Sequence, residues 1–299
     1  MKVDAAIDRY VKPISTADWQ PFGTGDGFSG ARIWKGTTAD GRTFALKARP
    51  LVADLDRFRA IHARLAMADL PFVPTLAANG DGETITIVDE TVFDIQDWKG
   101  GTAVADIGRQ QLAAAMVALR QLHIAWEPES QRGPAPYIGR RIAALETWRS
   151  EVIENDPIRI RAHAMIASRR SKLLLALRQL EADPVRLQPI HGDLWHSHVL
   201  FSGNAVTGLI DFDAVRIDAP EADLARLLGD WFGVNQLMLA EALVAYGPGI
   251  DPERLHIAIE AGLLTSVAHW CTKLRTNPLV PKIEHRLLDL LRRLDPSSQ

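Results

Sequence analysis

The stretch HGDLWHSHVLFSGNAVTGLID, residues 191–211, constrains this chain more than any other. A mostly apolar lead-in, residues 187–190, delivers the backbone to a polar knot of His191, Gly192, Asp193, His196 and His198. Val199-Leu200-Phe201 then reads as a short strand, Ser202-Gly203-Asn204 as a turn and residues 206–210 as a returning strand. A hairpin folds its far end back beside its near end, so Asp211 is expected close to His198 and Asp193. Two carboxylates and an imidazole gathered there, with a glycine that admits close backbone approach, suit a hard cation and a hydroxyl.

Periodicity divides the rest of the chain in two. Residues 19–22, 31–34, 43–48, 84–88 and 92–96 read as short strands separated by turns such as Asp40-Gly41 and Asp81-Gly82. Within this region residues 54–67 have helical spacing, with Leu55, Phe58, Ile61 and Leu65 on one face. Beyond Gly100-Gly101 the pattern turns helical: residues 105–125, 138–153, 158–182, 222–228, 236–246, 252–272 and 283–294 carry apolar residues at three-and-four spacing. The expectation is an α+β chain, with an antiparallel-sheet lobe bearing one main helix over residues 1–97 and a mostly helical lobe over residues 98–299 that contains the hairpin.

Composition narrows the function classes. A net charge of -3 in 299 residues offers no basic face for nucleic acid. No run is apolar and long enough to span a membrane, the N-terminus is charged where a signal peptide is apolar, and Cys271 is the lone cysteine. These features point to a cytoplasmic protein with no membrane and no nucleic-acid partner.

Two N-terminal features suit phosphate. Gly25-Asp26-Gly27-Phe28-Ser29-Gly30 is a glycine-rich turn followed by a strand, not by the helix that a dinucleotide fingerprint requires. Such a turn offers backbone N–H groups to phosphate oxygens. Lys47 sits within the otherwise apolar strand Phe44-Ala45-Leu46-Lys47-Ala48, where an ammonium is costly unless it meets an anion.

Glycine-rich hairpin, strand lysine, His191-Gly192-Asp193 and Ile210-Asp211-Phe212 follow one another as in the protein-kinase-like fold, and the HGD form resembles its aminoglycoside phosphotransferase and choline kinase-like branch. Leu119 to His123 resembles that family's helix ending in Leu-His, and Asp223-Leu224-Ala225 its structural Asp-Leu-Ala. The resemblance implies a bilobal enzyme that moves the γ-phosphoryl group of ATP, with GTP the alternative, to a hydroxyl of a small molecule such as an aminoglycoside, amino sugar or amino alcohol. On that pattern Asp193 is the catalytic aspartate and Asp211 holds Mg²⁺. Lys47 neutralises the phosphates, Gly25, Gly27, Phe28, Ser29 and Gly30 cover them, and the backbone around Gln96 and Trp98 meets the base.

Two departures from the pattern stand out. His198 occupies the position of the family's asparagine, making it the candidate second metal ligand and Mn²⁺ a plausible ion. No glutamate follows Lys47 on the helix, so Asp56, with Asp54 behind it, is the candidate partner of that lysine. Asp213, Asp218 and Glu221 add negative charge that could receive a cationic acceptor. Two other readings share these residues: a nucleotide-binding protein without turnover, and a metal-dependent phosphohydrolase built on His191, Asp193, His196, His198 and Asp211. The acceptor's identity and the oligomeric state leave no mark in the sequence.

Overall fold

A computed structural model describes residues 2–23, 31–51, 54–149, 156–276 and 281–295. The chain forms two compact units. The first comprises Met1–Thr102, Leu200–Ser202 and Val206–Asp213; the second comprises Ala103–Val199, Gly203–Ala205 and Ala214–Gln299. The glycine-rich turn, with Gly25, Gly27, Phe28, Ser29 and Gly30, lies outside the described residues.

In the first unit a five-stranded antiparallel sheet runs in the order Asp18–Phe22, Arg32–Thr37, Thr43–Pro50, Thr91–Asp97, Thr86–Val88. Strand alternation gives its central strands two unlike faces. Leu46, Ala48, Phe93 and Ile95 pack with Ala6, Ile7 and Tyr10 in one apolar cluster. Ala6 and Ile7 belong to a helix, Lys2–Ile7, that the strand-dominated reading of this region passed over. Its apolar stripe is a single short turn flanked by charges, too brief for periodicity to reveal.

Lys47 and Arg49 alternate with those apolar residues, and Lys47 is in register with Asp94 on the adjacent strand. Helix Leu55–Ala68 is capped by Asp54, whose carboxylate accepts from Arg57 N, and its Phe58 ring lies 5.4 Å from the Arg49 guanidinium. The hairpin strands Val199–Ser202 and Ala205–Leu209 were expected within the helical half, yet most of their residues belong with the first unit. The reason is local: Leu209 N donates to Phe72 O at 2.7 Å, and Thr207 Oγ1 to Gly100 O at 2.5 Å. Gly101, at φ +123, makes this approach feasible, since a Cβ there would lie 2.4 Å from Thr207 Oγ1.

The second unit is built on helices Arg109–Ala125, Pro136–Thr147, Pro157–Glu181, Glu221–Phe232, Gln236–Tyr246, Pro252–Thr276 and Pro281–Leu294. Leu119, Leu122, Trp126, Ile138, Ile166, Leu177, Leu224 and Leu227 are fully buried, and Cys271 is buried among the apolar residues of its helix. A small sheet completes the unit in the order Arg216–Asp218, Val185–Ile190, Gln131–Gly133. Arg216 is paired with Ile190, so the chain leaving the hairpin runs beside the strand that enters it. Among the described residues no helix is long and apolar enough to cross a membrane.

Candidate active site

The charged face of the first unit carries a closed ion-pair network. Lys47 Nζ lies 3.0 Å from Asp211 Oδ1 and 3.8 Å from Asp213 Oδ1, joining residues 164 positions apart in sequence. Arg49 grips Asp213 with both arms of its fork, Nε to Oδ2 at 2.8 Å and Nη2 to Oδ1 at 2.7 Å, and also pairs with buried Asp94. Burial alone would lower the Lys47 pKa, but Asp213 and Asp211 raise it. Burial alone would raise that of Asp213, yet Lys47 and Arg49 hold it well below the usual carboxylate range. Lys47 and Arg49 thus face three carboxylates, of which Asp211 has a side chain 45% exposed and a left-handed backbone at φ +66.

Asp56 is absent from this network. It is 93% exposed and, among the described residues, pairs only with Arg59. Helical geometry explains the miss: two residues set Asp56 about 200° round the axis from Phe58, which covers Arg49. The helix contributes instead Arg57, whose Nη2 donates to Asp213 O at 2.9 Å, and buried His62, bonded to Thr84 Oγ1 at 2.7 Å. Burial, first, lowers the His62 pKa and keeps the ring neutral. Arg49 and Asp94 went unread because single charges within strands look like solvent-facing positions.

At the end of the strand Thr91–Asp97 the backbone is largely committed. Asp97 N donates to Thr75 O and Trp98 N to Thr43 O, both at 2.9 Å. The Trp98 ring stands edge-on to Phe22, with centroids 4.7 Å apart, and Lys35 Nζ lies 4.8 Å from it.

The Asp193 loop belongs to the second unit and hangs from one buried acid. Asp223 accepts from His191 N and Gly192 N, both at 2.8 Å, and its Oδ2 lies 3.2 Å from His123 Nε2. His123 Nδ1 in turn meets Tyr246 Oη at 2.8 Å. Burial alone would raise the Asp223 pKa, but His123 and the loop N–H groups lower it, so the carboxylate stays ionised. Gly192 is obligatory: at φ +85 a Cβ would fall 2.2 Å from Ala214 O.

So held, Asp193 presents a half-exposed carboxylate, with Arg226 Nε 3.3 Å from Oδ1. His198 Nδ1 bonds Asp193 O at 2.9 Å, and Trp195 Nε1 donates to His198 Nε2 at 2.8 Å. A carbonyl only accepts and an indole only donates, which fixes the neutral Nδ1–H tautomer. Both ring nitrogens are thereby engaged, and the metal-ligand role expected of His198 has no lone pair to serve it in this arrangement. The imidazole ties the loop to itself instead.

The remaining polar residues are internal. His196 pairs through Nδ1 with Asp230, which also binds Arg286 and Arg293. Asp218 is fully buried and accepts from Tyr137 N and Ala219 N while pairing with Arg140; Glu221 is buried with Tyr137 and Arg254. Asp213 is held by Arg49. None of the three acids expected to receive a cationic acceptor is available to do so. Among the described residues no three His, Cys, Asp or Glu side chains form a metal group of the caged kind. Mg²⁺ needs no such cage, because it binds through one or two carboxylates plus substrate phosphates, and the half-exposed Asp211 fits that use.

Known proteins resemble this chain in sequence and in fold. A curated homoserine kinase of Afipia carboxidovorans is 29% identical over 240 residues, 69% of this chain and 70% of that protein. One from Beijerinckia indica is 35% identical over 136 residues, 44% of this chain and 38% of its own length. Among solved structures, an amicoumacin kinase in complex with AMP-PNP, Ca²⁺ and its ligand superposes with a TM-score of 0.66 at 14% identity, covering 99% of this chain and 92% of that one. The spectinomycin phosphotransferase APH(9)-Ia, with ADP and spectinomycin, gives 0.64 at 10% identity, covering 93% and 88%. These likenesses show the α+β fold of the kinase-like phosphotransferases. Residues 19–256 match the phosphotransferase enzyme family, and the chain belongs to that family of enzymes.

Proposed function

We propose that the protein is an ATP-dependent kinase that phosphorylates a hydroxyl of a small molecule, using a divalent cation. The observation that carries the reading is the pairing of Lys47 with Asp211 on the charged sheet face, a cation and a half-exposed carboxylate brought together from distant parts of the chain. Lys47 would neutralise phosphate oxygens of the nucleotide, and Asp211 would hold the cation, which when bound offsets charge on those oxygens. The backbone around Gln96 and Trp98 would receive the base, and the turn from Gly25 to Gly30 would cover the phosphates.

Asp193 is the proposed catalytic base. Its carboxylate takes the proton of the acceptor hydroxyl as that oxygen bonds to the γ-phosphorus. The bond from γ-phosphorus to the bridging oxygen breaks, and ADP leaves with the electron pair. Little covalent help is required, so positioning and charge neutralisation supply most of the rate. Asp223 is a positioning residue, because it fixes the two backbone N–H groups that precede Asp193.

ADP release measured with ATP, Mg²⁺ or Mn²⁺ and a panel of L-homoserine, choline, amino sugars and aminoglycosides tests the reading. Homoserine heads the panel because the curated relatives are homoserine kinases. Asp193→Asn should lower kcat about a thousandfold and leave the KM for ATP nearly unchanged. Equal turnover in that variant would remove Asp193 from the mechanism, and nucleotide binding with no acceptor-dependent release would favour the reading without turnover.

A further inference from the structure

The second unit holds a cavity of about 580 Å³, a volume that suits a small metabolite. Its wall includes His123 and Tyr246, the buried pair that supports Asp223, together with Arg120, Arg132, Arg186 and Arg254. No residue of the Asp193 loop lines it, so it is a site apart from the one described above.

The acids of this wall are committed. Glu127 pairs with Arg186 and Glu221 with Arg254, while Asp251 caps the helix Pro252–Thr276 by accepting from Glu253 N at 2.9 Å and Arg254 N at 3.3 Å. Arg120 and Arg132 have no carboxylate partner among the described residues. Each donates to a backbone carbonyl, Arg120 Nη1 to Pro248 O at 2.8 Å and Arg132 Nη2 to Pro184 O at 2.9 Å. The Arg120 guanidinium also lies 5.4 Å from the centre of the Tyr246 ring.

A second observation comes from Arg254, whose side chain is only 6% exposed. Its Nη1 donates to Leu180 O at 3.2 Å, but Nη2 is buried with no hydrogen-bond partner among the described residues. Two guanidiniums that meet only neutral oxygens, beside a third with a donor to spare, are complemented by an anion that accepts from several of them at once.

We propose that this cavity is an effector site for a small organic anion bearing two or more carboxylate or phosphate groups, and that its occupancy is transmitted to the Asp193 loop. The route is a chain of hydrogen bonds: Tyr246 Oη meets His123 Nδ1, His123 Nε2 meets Asp223, and Asp223 accepts from His191 N and Gly192 N. An anion on Arg120 bears on the Tyr246 ring, and any displacement there alters the support of the loop. The consequence for turnover rests on the kinase reading above; the binding does not.

Calorimetry of the unaltered protein with citrate and 3-phosphoglycerate, and with glycerol as a neutral control, tests the site. At least one anion should bind with a Kd of about 1 mM or tighter, and glycerol should not. The double variant Arg120→Met, Arg132→Met should weaken that binding about tenfold or more. Arg132→Met alone, at an exposed position, should weaken it in part and guards against a folding failure of the double variant; thermal melts verify the fold. Hydrogen exchange at His191 and Gly192 reads the transmission without turnover, and a saturating anion should change it about threefold in the unaltered protein. With free Mg²⁺ held constant, the same anion should change kcat and leave the KM for ATP as it was.

Failure of both anions to bind overturns the site, as does binding that survives the double variant. Binding with unchanged exchange at His191 and Gly192 overturns the transmission. Binding and exchange that respond as expected, with no acceptor phosphorylated, support the site and count against the kinase reading alone.

Discussion

The charged face of the first unit and the Asp193 surroundings of the second make different use of the same side-chain chemistry. In the first, Lys47 and Arg49 are tied to Asp94, Asp211 and Asp213. In the second, Arg140 and Arg216 pair with Asp218 and Arg226 with Asp193. One half-exposed aspartate, Asp211, is held beside a lysine and the other, Asp193, beside an arginine. The lesson concerns counting: the sign of a site follows from which charges are left after internal pairing, and not from how many acids the local sequence contains. Asp213, Asp218 and Glu221 look like an acidic patch in the sequence, yet each is consumed by an arginine of its own unit.

The comparison can be broken most severely at Arg49. Arg49→Met leaves Asp94 buried without its cation and releases Asp213, so the protein should lose about 3 kcal/mol of stability by denaturant titration. The KM for ATP should rise as Lys47 loses the carboxylate that flanks it. A loss below about 1 kcal/mol would mean that the network is not closed in solution.

Acid titration sharpens the same contrast at smaller amplitude. The His62 pKa is depressed from its ordinary 6.5, so the unfolded chain takes up that proton first and stability begins to fall as pH drops below that value. Asp213 and Asp223 are depressed carboxylates, whose contributions persist above about pH 4 and are lost as pH falls further through their folded values. Melting temperature against pH should therefore show two descending steps, and His62→Asn should shrink the upper one, to which the depressed His269 also contributes. A single step near pH 4 in the unaltered protein would contradict the burial of His62.

The smallest effect is expected at Asp56. Exposed and, among the described residues, paired only with Arg59, it should tolerate Asp56→Ala within about 0.5 kcal/mol and with an unaltered KM for ATP. A large rise in that KM would restore the helix acid to Lys47 and undo the ion-pair network described above.

Much of this was legible beforehand. The hairpin, the strand lysine, the helix ending in His123 and the helix that begins near Asp223 all announce themselves through local pattern, because turn residues and three-and-four spacing act over a few positions. The helix Lys2–Ile7 escaped notice, since one turn bears too little periodicity. The family's asparagine position makes His198 a candidate ligand, whereas its hydrogen bonds to Trp195 and to the carbonyl of Asp193 are contacts that no spacing rule supplies.

The sequence by itself determined the element types, the family pattern and the identities of Asp193, Asp211 and Lys47 as chemically notable, for these depend on neighbours a few residues away. Only the tertiary structure decided who pairs with whom. Lys47 with Asp211, Arg49 with Asp213 and Asp94, and Asp223 with the loop ahead of Asp193 are long-range choices, made where burial removes water and each charge must find a specific partner. The exposure left to Asp211 and Asp193 after that pairing is therefore a property of the fold.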